Sequence, residues 1–323
     1  MMFFRGVRIR GISAALVCLC ASCASPSPQS SEARGDAVAT QASSAARLAY
    51  EKGYFGQAQK LYRRALTRAR AINDAKLAAD AAYNLAMSEI GLGHYEAADQ
   101  LLRQAYYDAD RASSNTADIQ LLRAKVAYLR MRLPEALVLV DEVADSKAAQ
   151  SLHLQAMILR GQIFCETGDP DAAKSELRAV EKLVAFSNTD LTPAISADLA
   201  KLEGTISRLE GKMDIAARYF DAEAKRLRIA HRYRDMGYAL ARAAEAYRAA
   251  GRPALAADRF FLAARSLDGR GDTDAAKLSL ASSLSAAEKA RDKDARIRAQ
   301  LLLREITRRA VPSAYRSQFR PAP

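Results

Sequence analysis

From residue 50 onward, small and apolar side chains recur in a fixed order. In YEKGYFGQAQKLYRRAL (50–66), Gly53 is followed by Phe55, Ala58, Tyr62 and Ala65. In IGLGHYEAADQLLRQAY (90–106), Gly93 is followed at identical spacings by Tyr95, Ala98, Leu102 and Ala105. Apolar positions three and four residues apart form one stripe of an α-helix. Each copy therefore predicts a turn at the glycine and a helix starting just after it. Three further copies carry Gly168, Ala173, Leu177 and Val180; Gly211, Ala216 and Phe220; and Gly251, Ala256, Phe260 and Ala263. A weaker copy has Ala136, Val140 and Val143, with Met131 standing where the glycine belongs. The marks fall at 53, 93, 131, 168, 211 and 251, so the unit recurs every 37 to 43 residues. Such a period describes helical hairpins that bury their apolar faces only by stacking on their neighbours.

These residues resemble the tetratricopeptide repeat. Leu85 in AAYNLA, Gly161 in MILRGQIF and Gly204 in AKLEGTIS stand at that family's Leu-Gly positions in the first helix of a hairpin. The chain departs from the family in having no Trp, in mostly lacking the terminal Pro, and in repeats longer than the usual ~34 residues. The resemblance implies an all-α fold: an α-solenoid, a right-handed superhelix of antiparallel helix pairs over residues 37–309. It has about six hairpins and a C-terminal capping pair, 275–290 with 293–309, which lacks the turn glycine. Physically, a turn glycine permits positive φ where the first helix ends, and alanine lets two helices approach closely.

The first residues follow another rule. Arg5, Arg8 and Arg10 precede an apolar stretch from Gly11 to Ala21, the layout of an export signal. That stretch is about half the ~20 residues a helix needs to span a bilayer. Leu19-Cys20-Ala21-Ser22-Cys23 resembles the lipobox of bacterial lipoproteins, with Cys23 as the lipidated residue and residues 1–22 as the signal peptide. Ala24 and Ser25 lack the aspartate that retains lipoproteins in the inner membrane, so the resemblance implies the periplasmic face of the outer membrane. Ordinary cleavage near Ala24 would instead give a soluble periplasmic protein. Residues 23–36, rich in Ser and Pro, read as a flexible tether.

Composition agrees with helices and limits the chemistry. Ala, Leu, Arg, Lys and Glu dominate. The formal charge of +12 falls to +9 once Arg5, Arg8 and Arg10 are removed, since residues 1–22 hold no acid. A basic exported chain favours anionic partners. Cys165 is the one cysteine outside the signal region and Cys23, so the body has no internal disulfide; its apolar surroundings predict a buried packing role. His94, His153 and His231 are not spaced as metal ligands, and no nucleophile elbow or phosphate-binding glycine loop is present. Gly-Arg-Gly-Asp at 269–272 reads as a turn whose Asp and following Thr cap the next helix. Asp169, Asp171 and Asp214 read as acids at helix starts, where they complement the dipole. The expectation is a protein without enzymatic activity, cofactor or metal. Nucleic acid would suit the basic charge, but it needs cytoplasmic residence, which the signal opposes, and no helix pair carries a dense basic-aromatic stripe.

In the family the first helix of each hairpin lines a concave groove that binds other proteins or peptides. Carried onto this chain, the groove positions are Arg47 and Tyr50; Tyr83, Asn84 and Met87; Lys125 and Tyr128; Gln162; Lys201 and Arg208; and Tyr238 and Arg248. Asn84 falls where family members use Asn to bond a peptide backbone. Aromatics mixed with cations suit an extended segment carrying acidic groups. The tail at 310–323 is basic and broken by proline, which reads as a disordered terminus or a segment for an anionic surface.

Overall fold

The computed structural model describes residues 36–310, apart from 145, 147, 188 and 189. The signal region, Cys23, most of the tether and the tail lie outside the described residues. Among those described there are fourteen helices and no strand. They are α1 (Ala37–Glu51), α2 (Phe55–Ala71), α3 (Ala75–Leu92), α4 (Tyr95–Arg111), α5 (Ala117–Leu129), α6 (Leu133–Ala144) and α7 (Gln150–Glu166). The rest are α8 (Pro170–Ser187), α9 (Pro193–Leu209), α10 (Met213–Ile229), α11 (Tyr233–Ala249), α12 (Pro253–Asp268), α13 (Thr273–Ala290) and α14 (Lys293–Ala310). Consecutive helices pair along the chain, giving six hairpins and a final pair.

The hairpin turns share one construction. Gly53 sits at φ 79°; its N–H donates to the carbonyl of Tyr50, while that of Tyr54 donates to Ala49. This double bond satisfies carbonyls that the ending helix leaves over. The same pair of bonds closes the turns at 93, 131, 168, 211, 251 and 291, and the inter-hairpin turns at 73, 113, 231 and 271. Where glycine is missing, the period still holds: Met131 takes φ 57° and Arg291 takes φ 54°. A side chain held there costs about 1 kcal/mol, which neighbouring packing must offset.

Packing between the helices rests on small residues. Ala58, Ala65, Ala98, Ala105, Ala216 and Ala256 are among the alanines with no exposed surface. At four crossings the small residue is a glycine under a large side chain. A Cβ on Gly91 would lie 2.6 Å from the Phe55 ring, on Gly204 2.7 Å from Phe220, and on Gly161 and Gly237 2.8 Å from Leu202 and Leu267. The aromatic of the repeat therefore closes onto bare backbone. Cys165 is buried, and burial pushes its thiol up to about 11, which suits packing rather than reactivity.

Acids at helix starts behave as their positions predict, with one exception. Asp169 accepts the N–H of Ala172 at 2.9 Å. Asp272, just before α13, makes no side-chain cap; its carboxylate is taken instead by Arg234 at 2.5 and 2.9 Å. A bidentate guanidinium outcompetes a single backbone N–H.

Gly91→Ala is expected to lower stability by about 2 kcal/mol, because its methyl enters the Phe55 ring. Gly56→Ala, with nothing within 4 Å of the added carbon, should raise it by about 0.5 kcal/mol. Urea unfolding followed by circular dichroism compares the two, and equal shifts of the same sign would contradict the close-approach account.

Candidate functional site

The first helices of successive hairpins touch one another, α5 with α7 and α7 with α9, and their side chains converge there. Tyr128 on α5 carries the Lys201 ammonium of α9 over its ring, 5.3 Å from the centroid. Its hydroxyl donates to Glu166 at the end of α7, at 3.3 Å. Lys125 of α5 donates to the Gln155 side-chain oxygen at 2.9 Å, and Lys201 to that of Gln162 at 3.4 Å. Gln162 is itself buried and donates to the Asp198 carbonyl. Three hairpins thus supply one polar surface: α5, α7 and α9 bring Lys125, Tyr128, Gln162 and Lys201 together.

The electrostatics of this surface are uneven. The arginines around it are paired: Arg242 with Glu223 at 2.5 Å, and Arg232 with Asp235 at 2.7 Å and Asp198 at 3.8 Å. Lys125 and Lys201 make no ion pair among the described residues and hold only amide oxygens. Burial lowers the pKa of both ammonium groups; Asp198 opposes this at Lys125 and Arg232 adds to it, while at Lys201 Arg242 adds to it and Glu223, Asp198 and Glu166 oppose it. Burial likewise raises the Tyr128 phenol, with Glu166 adding to it, and holds Glu223 above the usual carboxylate range despite Arg242. Such a half-satisfied polar surface weakens the fold and is therefore suited to another role.

The remaining groove positions are dispersed. Tyr50 and Tyr83 face the interior, and burial pushes the Tyr83 phenol up to about 12. Met87 packs against the N-terminal apolar cluster. Asn84 gives its amide to the Asp80 carbonyl of its own helix at 2.8 Å. Arg47 pairs with Glu51 on α1, Arg248 pairs with Glu245 on α11, and Arg208 is exposed. Tyr238 reaches Asp272 at 3.5 Å. Sequence reasoning missed Gln155, Glu166, Arg242 and Glu223, because short-range patterns do not reveal partners in a neighbouring hairpin. Among the described residues no group of three or more His, Cys, Asp or Glu side chains could hold a metal ion, and no helix is long and apolar enough to cross a membrane.

Solved structures match this architecture. A Rap protein complexed with Competence and Sporulation Factor superimposes over 84% of this chain and 75% of its own, with TM-score 0.56 and 14% identity. The Cut9–Hcn1 hetero-tetramer of APC/C matches over 81% of this chain and 48% of its own, with TM-score 0.50 and 12% identity. A tetratricopeptide repeat protein from Parabacteroides merdae matches over 84% of this chain and 99% of its own, with TM-score 0.45 and 14% identity. The chain has the tetratricopeptide-repeat fold. No family model matches this tetratricopeptide-repeat chain, and no curated protein matches it significantly. At these identities the likeness is one of fold.

Lys125→Met and Lys201→Met are each expected to stabilise the solenoid by about 1 kcal/mol, since each removes an unpaired, enclosed charge. Both lysines titrate below the ordinary 10.5 when folded. As pH rises between the lowered value and 10.5, the unfolded chain holds its proton longer, so the wild type gains stability relative to each variant. Unfolding midpoints at neutral and alkaline pH should therefore converge; a gap that does not change with pH would mean the lysines titrate as in water.

Proposed function

We propose that this protein is a protein–protein interaction scaffold, anchored by lipid at Cys23 to the periplasmic face of the bacterial outer membrane. Its inner wall holds an extended, acidic segment of a partner. One observation carries the reading: Lys125 and Lys201 stand enclosed on that wall in direct contact with amide oxygens and with no ion pair among the described residues, while Arg232 and Arg242 beside them each hold a carboxylate directly. A carboxylate brought by a partner would supply what each lysine lacks, and Tyr128 and Gln162 would frame it. A structurally similar Rap protein is complexed with Competence and Sporulation Factor, so this fold is compatible with holding another molecule. The scaffold works by holding, with no residue assigned to a chemical step. Partners in assembly of envelope, pilus or secretion machinery, or in regulation of cell-wall enzymes, belong to the same class.

Placing a photo-crosslinking residue at Tyr128 or Lys201 in living cells should trap partner proteins, and the same residue at the outward-facing Tyr107 should not. Lys201→Glu should abolish the trapping at Tyr128. Equal trapping at Tyr107, or trapping indifferent to Lys201→Glu, would remove the inner wall as the binding face. The lipid is tested separately by the mass of the mature N-terminus: a diacylglyceryl cysteine lost in Cys23→Ala is expected. An unmodified N-terminus near Ala24 would establish the soluble periplasmic form.

A further inference from the structure

The coil returns to meet itself. Arg234 at the start of α11 donates from Nη1 to the carbonyl of Gly91 in α3, at 2.8 Å and across 143 residues of sequence. We propose that this contact is a clasp that closes the solenoid after one superhelical turn and controls access of a polypeptide to the inner wall. The second half rests on the inner wall being the partner-binding face; the first does not.

The clasp is built from groups that need one another. Gly91 lies in the last turn of α3, whose final carbonyls have no partner within the helix. The turn N–H groups of Gly93 and His94 take the carbonyls of Ile90 and Glu89 and leave that of Gly91 for Arg234. A cation at the C-terminal end of a helix also meets the negative end of its dipole. The guanidinium is held in place by its other nitrogens, which grip Asp272 at 2.5 and 2.9 Å. That grip is why Asp272 does not cap α13.

Two further approaches follow the same seam. Arg270 stacks over the Tyr233 ring at 4.8 Å and brings Nη1 to 3.1 Å from the point where a Gly53 side chain would begin. Arg232 and Asp235 lie close enough to Tyr50 to influence its phenol. The hairpin turns of the first two repeats therefore rest against the inter-hairpin turns before α11 and α13. Among the described residues no buried apolar cluster joins these two sides. Within the stack, by contrast, each hairpin shares an apolar core with its neighbour. A seam held only by polar contacts can exchange them for water, so the closed turn opens here before the stack comes apart.

Spin labels at Tyr54 and Ile229, both exposed beside the seam, read the clasp in the full mature chain carrying Cys165→Ala. Double electron–electron resonance should give one narrow, short distance in the parent protein and a longer, broader distribution in Arg234→Ala. A broad distribution in the parent, or no change in Arg234→Ala, would overturn the clasp. Asp272→Asn, which leaves Arg234 in place but unheld, repeats the test should Arg234→Ala fail to keep its helical circular dichroism. Access is read by the rate at which maleimide-capped polyethylene glycol modifies Tyr128→Cys. That rate should rise about tenfold when the clasp is removed, as the open population grows; equal rates would refute control of access. Neither measurement involves a partner, so failure here leaves the crosslinking result standing, and the converse holds too.

Discussion

How closely two helices can approach sets everything else in this molecule. Ridges-into-grooves packing places helix axes about 8–10 Å apart, the shorter end requiring small residues at the contact. This chain meets the requirement with alanine through most of its core, and with glycine where Phe55, Phe220, Leu202 and Leu267 fold over the neighbouring backbone. With Cys165 as the one free, buried thiol among the described residues, cohesion comes from close packing between hairpins. Enlarging a side chain at a crossing changes an angle as well as a contact, and that angle is passed on to every later repeat.

Repetition then turns a local geometry into a global one. The same two turn bonds recur from Gly53 to Arg291, so the turns share one local geometry along the chain. The accumulated rotation carries the start of α11 back to the end of α3, where Arg234 finds a carbonyl that no local residue could reach.

The inner wall illustrates a conflict between stability and use. Enclosed arginines with carboxylate partners hold repeats together, as Arg242 with Glu223 and Arg259 with Asp221 show. Lys125 and Lys201 occupy comparable enclosure with hydrogen bonds only to amide oxygens. A charge in that condition weakens the folded state, because its desolvation is only partly compensated.

The helices, their turns and their order were legible in the residues alone. Spacings of three and four are local, and a turn needs only its own few residues; even Met131 was placed correctly because the period demanded a left-handed residue there. The burial of Cys165 followed from its apolar surroundings in the chain. The tertiary structure alone decided that Asp272 serves Arg234 rather than the helix it precedes, that Glu223 meets Arg242, and that Gly91 closes the coil. The first two partners lie in neighbouring hairpins and the third several hairpins away; each depends on how hairpins stack, and no short pattern in the chain encodes that.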